Sequence, residues 1–417
     1  MNESFVHQRI ESVWRLESAK IIASLTRMVK DISLAEDVAQ DALIIAIERW
    51  SVSGIPDNPG AWLMTVAKRK AIDILRRKKR LDQKYEQIAY EMNNHNDYDF
   101  SEEIDEEIDD NVLRLIFMTC HPVLSKNARV ALTLRLVGGL TTEEIAHAFL
   151  VPETTIAQRI VRAKRTLATA NVPFEIPHKS AYGERLSSVL EVIYLMFNEG
   201  YSATSGNNLI RMNLCNEALR VGRVLADLIL IEPEVYGLVA LMELQVSRFK
   251  ARTNTNGEMI LLMDQNRSLW NQEHIVRGVA ALKKAEDLGG TFGLYALQAS
   301  IAACHAKADT PEKTNWERIS VLYEALSKIS PSPVVELNRA VAISMVNGPL
   351  AGLEIVDSLL LEPTLKNYHL LPSVKGNFLL KLGRKMEASE EFRRAAVLTQ
   401  NTQEQKFLLK QAEDCMK

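Results

Sequence analysis

Apolar residues recur at helical spacing along almost the whole chain, and no segment shows the strict alternation of a half-buried strand. From Glu17 to Arg80 the helical pattern is interrupted once, by SVSGIPDNPG, whose prolines and glycines cannot continue a helix. The pattern resumes from Asn111 to about Asn171, and successive helices follow beyond Pro177. We therefore predict an all-α fold.

The segment from Leu140 to Leu167 has the pattern of a helix-turn-helix. Thr141 and Glu144 form a predicted capping box for its first helix, and Pro152 ends that helix. The second helix has apolar residues at spacings of four, three and four, which predict one inward face. That face consists of Ile156, Ile160, Ala163 and Leu167.

The opposite face of the second helix carries side chains that suit DNA. Hydroxyl, amide and guanidinium groups can read base edges in a major groove, and further cations suit phosphates. The predicted base-reading residues are Thr155, Gln158, Arg159 and Arg162. The predicted phosphate contacts are Lys164 and Arg165. A helical hairpin with a solvated basic face is the alternative, although such a face normally includes acids and this one has none.

A second basic segment, from Lys68 to Arg80, contains eight basic residues and a single acid. The same helix carries Trp62, and an aromatic side chain among cations suits unstacked single-stranded bases. Trp62 could equally belong to the core. The candidate contacts on this helix are Trp62, Lys68, Arg69, Arg76 and Arg77.

The upstream helix LAEDVAQDALIIAIERW combines an inward apolar stripe with an acidic outer face that has an isoleucine at its centre. Such a face suits docking to a basic protein partner, and a plain solvated face is the alternative. The outer face is formed by Asp37, Gln40, Asp41, Ile44 and Glu48.

Charge divides the chain further. Nine acids and no base lie from Asp97 to Asp110, with too little apolar content to bury. We predict an acidic flexible linker over residues 81–111, between a domain at 1–80 and a second domain at 112–172. Residues 173–417 form a third domain of helical hairpins. Its last unit has the small and large residues of a tetratricopeptide helix pair at Gly376, Leu379, Ala388, Phe392 and Ala395.

The composition fits a soluble, mostly helical protein, since 47% of the 417 residues are apolar, 25% are charged and only 6% are aromatic. The four cysteines are too far apart in sequence for the short spacing of a metal site, and they favour a reducing compartment. The N-terminus lacks the apolar core of a secretory signal, and no apolar run of about twenty residues could span a membrane. We expect a cytoplasmic protein.

Sequence motifs for catalysis are absent: there is no GxGxxG, GxxxxGK[ST], HExxH or GxSxG. We expect no enzymatic activity, no cofactor and no metal. The polar run NEGYSATSGNN is the best candidate for a small-molecule or regulatory loop, and a capped interhelical loop is the alternative. Its candidate residues are Asn198, Glu199, Tyr201 and Ser202.

In this order, the segments resemble the extracytoplasmic-function (ECF, group IV) sigma factors of the sigma-70 family, over residues 10–172. AEDVAQDALIIAIERW is similar to the family's helix that binds core RNA polymerase, and all of its outer-face residues except Ile44 fall on matching positions. AWLMTVAKRKAIDILRRKKR resembles the promoter-melting helix. The resemblance implies that Asp57 and Asn58, in SGIPDNPG, recognise a base extruded from the −10 element. It also implies that the helix-turn-helix reads the −35 element.

The rest of the chain, including FNEGYSATSG and PSPVVELNRAVA, resembles the tetratricopeptide-like extension of one sigma subgroup. The resemblance thus implies sigma region 2 at 1–80, sigma region 4 at 112–172 and a helical regulatory domain at 173–417. The implied function is promoter recognition and melting in transcription initiation, controlled by the C-terminal domain. The implied partners are core RNA polymerase, duplex −35 and single-stranded −10 promoter DNA, and a protein or peptide regulator, but no membrane.

Two other functions stay open on the residues alone. One is a one-component helix-turn-helix transcription regulator with a helical-repeat sensor domain, although such a regulator has no use for a melting helix. The other is a tetratricopeptide adaptor whose basic segments bind partners, which requires the base-reading face to be coincidental.

Overall fold

The computed structural model describes residues 3–89, 108–149, 151–202, 205–206, 210–254 and 258–416. The chain forms two compact units, Met1–Val192 and Ile193–Lys417. Both units are built from helices, which confirms the all-α prediction. Across the described ranges, no helix is both long enough and apolar enough to cross a membrane.

Three long helices open the first unit. They are α1 (Glu3–Val29), α2 (Ile32–Ser53) and α3 (Pro59–Ala89). The Asp31 carboxylate caps α2 by accepting hydrogen bonds from the backbone N–H groups of Ser33 and Leu34, at 2.8 and 3.1 Å. The turn-rich stretch ends α2 at Gly54, whose φ of +83° suits glycine.

The helix α3 continues through residues 81–89, so the first part of the predicted linker is helical. This stretch, LDQKYEQIA, contains good helix formers and neither proline nor glycine, so nothing in it stops the helix. Most of the acidic run at 97–110 lies outside the described residues. Its last three residues, 108–110, begin the next helix.

The second half of the first unit contains four shorter helices. They are α4 (Ile108–Thr119), α5 (Lys126–Leu136), α6 (Thr142–Phe149) and α7 (Glu153–Thr169). Both α5 and α6 pack against α7, and α4 packs against α1. The helices on either side of the acidic run therefore share one compact unit.

The helix that follows, α8 (Lys179–Tyr201), begins within the first unit. Arg185 donates a 2.6 Å hydrogen bond to the backbone oxygen of Phe117, and the Ser188 hydroxyl donates one of 2.6 Å to the backbone oxygen of Cys120. Buried Arg129, on α5, donates to the Ser188 hydroxyl and pairs with Glu191. These contacts join the start of α8 to the helices before it, and the first compact unit accordingly extends to Val192, beyond the predicted boundary at 173.

The second unit is a succession of helices, each packed against the next along the chain. They are α9 (Met212–Leu228), α10 (Pro233–Val246), α11 (Gln272–Asp287), α12 (Leu294–Ala306), α13 (Trp316–Ile329), α14 (Pro333–Asn347), α15 (Pro349–Leu359), α16 (Leu370–Lys381), α17 (Lys385–Leu398) and α18 (Thr402–Asp414). A short parallel pair, β1 (Ser205–Gly206) with β2 (Gln400–Asn401), was not expected from the sequence.

The helix pair α16–α17 packs as its small and large residues predict. A Cβ atom on Gly376 would lie 3.0 Å from the Phe392 ring, so a larger residue would require the ring to shift by a few tenths of an ångström. The Phe392 ring lies in one buried core with Leu379, Ala388 and Ala395.

Candidate nucleic-acid interface

The helix-turn-helix forms as predicted. The Glu144 carboxylate accepts a 2.8 Å hydrogen bond from the backbone N–H of Thr141, and the Thr141 hydroxyl accepts one of 3.1 Å from the backbone N–H of Glu144. Pro152 lies at the start of α7, where its missing N–H costs nothing. The four predicted apolar residues of α7 are all buried. The opposite face of α7 must therefore point away from the core.

That outward face lines an open groove of about 360 Å³ beside the turn between α4 and α5. Gln158 and Arg162 are exposed, whereas Thr155 and Arg159 are half-buried. All four predicted base-reading residues line the groove, and none of the described residues that line it is acidic. The groove thus combines hydrogen-bonding groups and positive charge without competing carboxylates, which suits the edges of bases.

The basic face of α3 is open to solvent. Arg69, Arg76 and Arg77 are exposed, and Lys68 is half-buried. Half-buried Trp62 packs edge-to-face against buried Trp50, with the ring centroids 5.3 Å apart. Trp62 is therefore anchored in the core on one side while part of its surface stays accessible.

The loop before α3 presents Asp57 and Asn58, both of which are exposed. The Asn58 side-chain oxygen accepts a 3.1 Å hydrogen bond from the backbone N–H of Ala61 and so helps to fix the start of α3. A base bound by Asn58 would therefore compete with the backbone N–H of Ala61 for the side-chain oxygen of Asn58.

The acidic face predicted on α2 is largely accessible. Asp37, Asp41 and Glu48 are exposed, and Ile44 at the centre is 52% exposed. The Asp41 carboxylate pairs with Lys70 of α3 at 2.7 Å. Gln40 is half-buried and donates a 2.8 Å hydrogen bond to Glu36. An exposed apolar residue surrounded by acids is the expected character of a docking surface for a basic protein.

Comparisons with known proteins agree with this geometry. Residues 15–81 match sigma-70 region 2, residues 114–167 match sigma-70 region 4, and residues 185–286 match a family of unknown function, DUF6596. The chain belongs to the sigma-70 family of RNA polymerase sigma factors. The two sigma-70 regions support a role in promoter recognition. They also imply interaction with core RNA polymerase and promoter DNA.

Two relatives extend the comparison. An uncharacterized protein of Rhizobium meliloti is 41% identical over 393 residues, which cover 93% of this chain and 91% of that protein. A protein of Mycobacterium tuberculosis described as a probable ECF RNA polymerase sigma factor, SigI, is 26% identical over 166 residues. This second match covers 40% of the chain and 57% of SigI. No solved structure matches.

In the sigma factor, Lys164 does not face solvent as predicted for a phosphate contact. It forms an ion pair with Glu36 of α2, and its side chain is only 14% exposed. Arg135 of α5 pairs with the same carboxylate at 2.6 Å. An anion from region 2 thus holds Lys164 in the structure, and its phosphate contact stays a prediction. Arg165 is exposed, as predicted.

Glu36 is the residue whose importance the helical pattern hides. It is 3% exposed and lies among the apolar residues of α2, between Ala35 and Val38. Burial opposes the charge of Glu36, but Lys164 and Arg135 outweigh it and hold the pKa of the carboxyl below its ordinary value of 4.5. A lone acid at an inward position of a helix is the sequence signal that could have revealed this pair.

The candidate regulatory residues are also placed differently from the prediction. Asn198, Glu199 and Tyr201 lie in the last turn of α8 rather than in a loop, and exposed Ser202 follows directly. The helix persists to Tyr201 because Gly200 is the one glycine near its C-terminal end and no proline interrupts it. Residues 203–204 and 207–208 of the predicted loop lie outside the described residues.

Potential metal ligands do not cluster in the part of the sigma factor that the structure describes: no three His, Cys, Asp or Glu side chains come together there.

Cys120 is buried and its sulfur lies 3.4 Å from the Thr133 hydroxyl. Burial raises the pKa of the Cys120 thiol, so it stays protonated at neutral pH.

Proposed function

We propose that this sigma factor is of the extracytoplasmic-function type and opens promoters through two separate DNA contacts. The outward face of α7 reads duplex DNA at the −35 element. The basic face of α3, with Trp62 and the loop at Asp57 and Asn58, holds the unstacked strand at −10. The observation that carries the proposal is the acid-free groove along α7, lined by all four predicted base-reading residues. Since transcription takes place in the bacterial cytoplasm, the proposal places the protein there.

The acidic face of α2 is the proposed dock for core RNA polymerase. Ile44 gives it an apolar centre that can be buried in a complex, and Asp37 and Glu48 give it charge that attracts a basic partner. Docking would place the two DNA-binding faces of the same compact unit on the polymerase together.

Run-off transcription with purified core polymerase on a genomic promoter library tests this function. The double variant Arg159→Ala/Arg162→Ala should reduce promoter-dependent transcript by at least about tenfold, since each base contact contributes ~1–3 kcal/mol. The matched control is Arg393→Ala, which removes an exposed arginine from α17. Equal transcription by the double variant and the wild type would refute the proposed −35 contact.

A one-component regulator is the competing function. It would bind duplex DNA through α7, but it would not need the docking face of α2 or the exposed cations of α3. Co-purification of the full chain with core polymerase separates the two functions, and Ile44→Glu should weaken that association if α2 is the dock. Transcription from a premelted template gives a second test, in which a sigma factor should raise promoter-specific transcript above the level that core polymerase gives alone.

We further propose that the second unit, as a tetratricopeptide-like domain, controls the sigma regions. The truncation that tests this should follow Val192 rather than Asn171. A cut after Asn171 would remove Ser188 and Glu191 and leave Arg129 buried without these partners. Altered promoter-dependent transcription after the cut at Val192 would support control, whereas wild-type activity would exclude it.

A further inference from the structure

The second unit contains a cavity of about 470 Å³ that no part of the proposed sigma activity uses. Its volume falls in the range of pockets that hold small organic molecules. Side chains from α8, α10, α12, α13 and α14 line it. The apolar part of its wall consists of Leu241, Leu262, Leu294, Ile301, Leu326 and Val335.

One cation in the cavity wall, Arg248, lacks a carboxylate partner among the described residues. The charges of Arg252 and Arg267 lie close enough to oppose that of Arg248, although Glu404 acts on Arg252 and Glu312 on Arg267. Arg248 forms no salt bridge with a described acid, in contrast to Arg223, which pairs with Glu243 at 2.6 Å. Partly buried cations are usually paired, so Arg248 favours a bound anion.

Arg248 is held in place by neutral groups only. Its guanidinium lies 5.9 Å from the centre of the Tyr201 ring and 5.8 Å from that of Trp270. It donates hydrogen bonds to the Tyr201 hydroxyl and to the side-chain oxygen of Gln245. These contacts fix the orientation of the Arg248 guanidinium without neutralising its charge. The guanidinium can therefore bind a carboxylate.

A second group lining the cavity also lacks a partner. His305 is 7% exposed, and its Nδ1 atom has no hydrogen-bond partner among the described residues. Buried polar atoms are nearly always hydrogen-bonded, so this nitrogen calls for a ligand atom or a water. Burial, with Arg248 and Arg267 nearby, lowers the pKa of His305 to about 3, so the imidazole is neutral at physiological pH.

The remaining polar groups of the wall are neutral. The Tyr194 hydroxyl donates a 3.0 Å hydrogen bond to the side-chain oxygen of Gln298. Burial raises the pKa of Tyr323 to about 12, so its hydroxyl stays protonated. Arg248 is the only charged residue among the described lining, because His305 is neutral. The cavity therefore favours a single negative charge over a positive one.

We propose that this cavity binds a small organic carboxylate, with the carboxylate on Arg248, a hydrogen bond to the Nδ1 atom of His305, and an apolar body along the aliphatic wall. One lining arginine suits a monoanion better than a phosphate dianion, which would need more donors. The same chemistry could be supplied by a free organic acid or by the C-terminal carboxylate of a peptide.

Calorimetric titration of the full-length protein tests the site with four probes. Octanoate represents a free organic acid, and acetyl-trileucine with a free C-terminus represents a peptide end. Octylamine and the C-terminal amide of acetyl-trileucine are their respective controls without negative charge. We expect at least one of the two carboxylates to bind at least about tenfold more tightly than its own control. The control cannot form the charge-assisted hydrogen bond. Inorganic phosphate, lacking an apolar body, should bind more weakly than the preferred carboxylate.

Arg248→Gln should weaken binding of the preferred carboxylate at least about tenfold, whereas Arg393→Gln, at an exposed position on α17, should leave it unchanged. Nitrogen NMR of the wild-type histidines provides a readout that needs no variant: the His305 Nδ1 resonance should shift on addition of the carboxylate. Absence of binding by both carboxylates, equal binding by the controls, or an unshifted His305 resonance would overturn the proposal. Because these readouts are independent of transcription, they do not depend on the proposed sigma function.

Discussion

Two charges, one in each compact unit, are held in opposite ways. In the first unit, the buried Glu36 carboxylate is enclosed by two cations, Arg135 and Lys164, so its charge is matched. In the second unit, Arg248 is held by rings and neutral oxygens, with no described acid in contact. Matched charge holds elements of a fold in place, whereas unmatched charge next to a cavity leaves binding energy for a ligand.

Glu36→Ala should therefore produce the largest loss of stability. It leaves Arg135 and Lys164 without their shared carboxylate in a partly buried position, which costs ~3 kcal/mol or somewhat less, since Lys164 can turn toward water. Hydrogen exchange of peptides from α2, α5 and α7, measured by mass spectrometry, reports the change within the first unit.

The matched control for this variant is Asp37→Ala, at the adjacent exposed position on α2. It should change the free energy of opening by less than about 0.5 kcal/mol. Similar effects of the two substitutions would mean that the Glu36 pair contributes no more than an ordinary surface charge.

Acidification should also weaken the pairing of Glu36 with Lys164 and Arg135, with a smaller loss of stability than Glu36→Ala causes. The pKa of Glu36 is lowered in the fold, so the pair stabilises the first unit above the ordinary value of 4.5, and this contribution is lost as the pH falls from there through the folded pKa. Glu36→Gln cannot lose a charge and should show a flatter loss of stability over that window. Hydrogen exchange at matched intrinsic rates provides the comparison, and identical pH profiles would count against the pair.

These charge pairs also show how far the sequence could predict the molecule. The capping box at Thr141 and Glu144 and the buried face of α7 depend on residues within a few positions of each other, so periodicity and local chemistry were sufficient. The partner of Lys164 lies on α2, far away in sequence, and nothing in the spacing around Lys164 points to it. The same applies to Ser188, whose contact with Arg129 moved the boundary of the first unit.

The cavity could not be predicted for the same reason. Its wall comes from five helices and the segments between them, and no local sequence pattern marks Arg248 or His305. The polar run that begins at Asn198 includes Tyr201, which accepts a hydrogen bond from Arg248 in the cavity wall. Tyr201 makes this contact from the end of a helix, whereas the sequence predicted a loop there.

In the second unit, removal of the unmatched charge should cost little. Arg248→Gln loses two cation–π contacts and two hydrogen bonds, but it also removes a partly buried cation and leaves no described acid unpaired. We expect less than about 1 kcal/mol of destabilisation without ligand. Thermal unfolding of the full chain measures this, and a loss as large as that from Glu36→Ala would show that Arg248 is structural.

The smallest expected effect is that of the Glu36–Lys164 ion pair on the affinity for DNA. Glu36→Gln keeps the shape of the side chain but releases Lys164 from its ion pair, so that Lys164 becomes free to reach a phosphate. Affinity for duplex −35 DNA should rise only about two- to threefold, but the salt dependence of binding should steepen by about one counterion. Fluorescence anisotropy across a range of salt concentrations measures both quantities. Adding Lys164→Gln should restore the original salt dependence, because the cation that makes the extra phosphate contact is then missing. A steeper slope that persists in the double variant would assign the extra phosphate contact to a different residue.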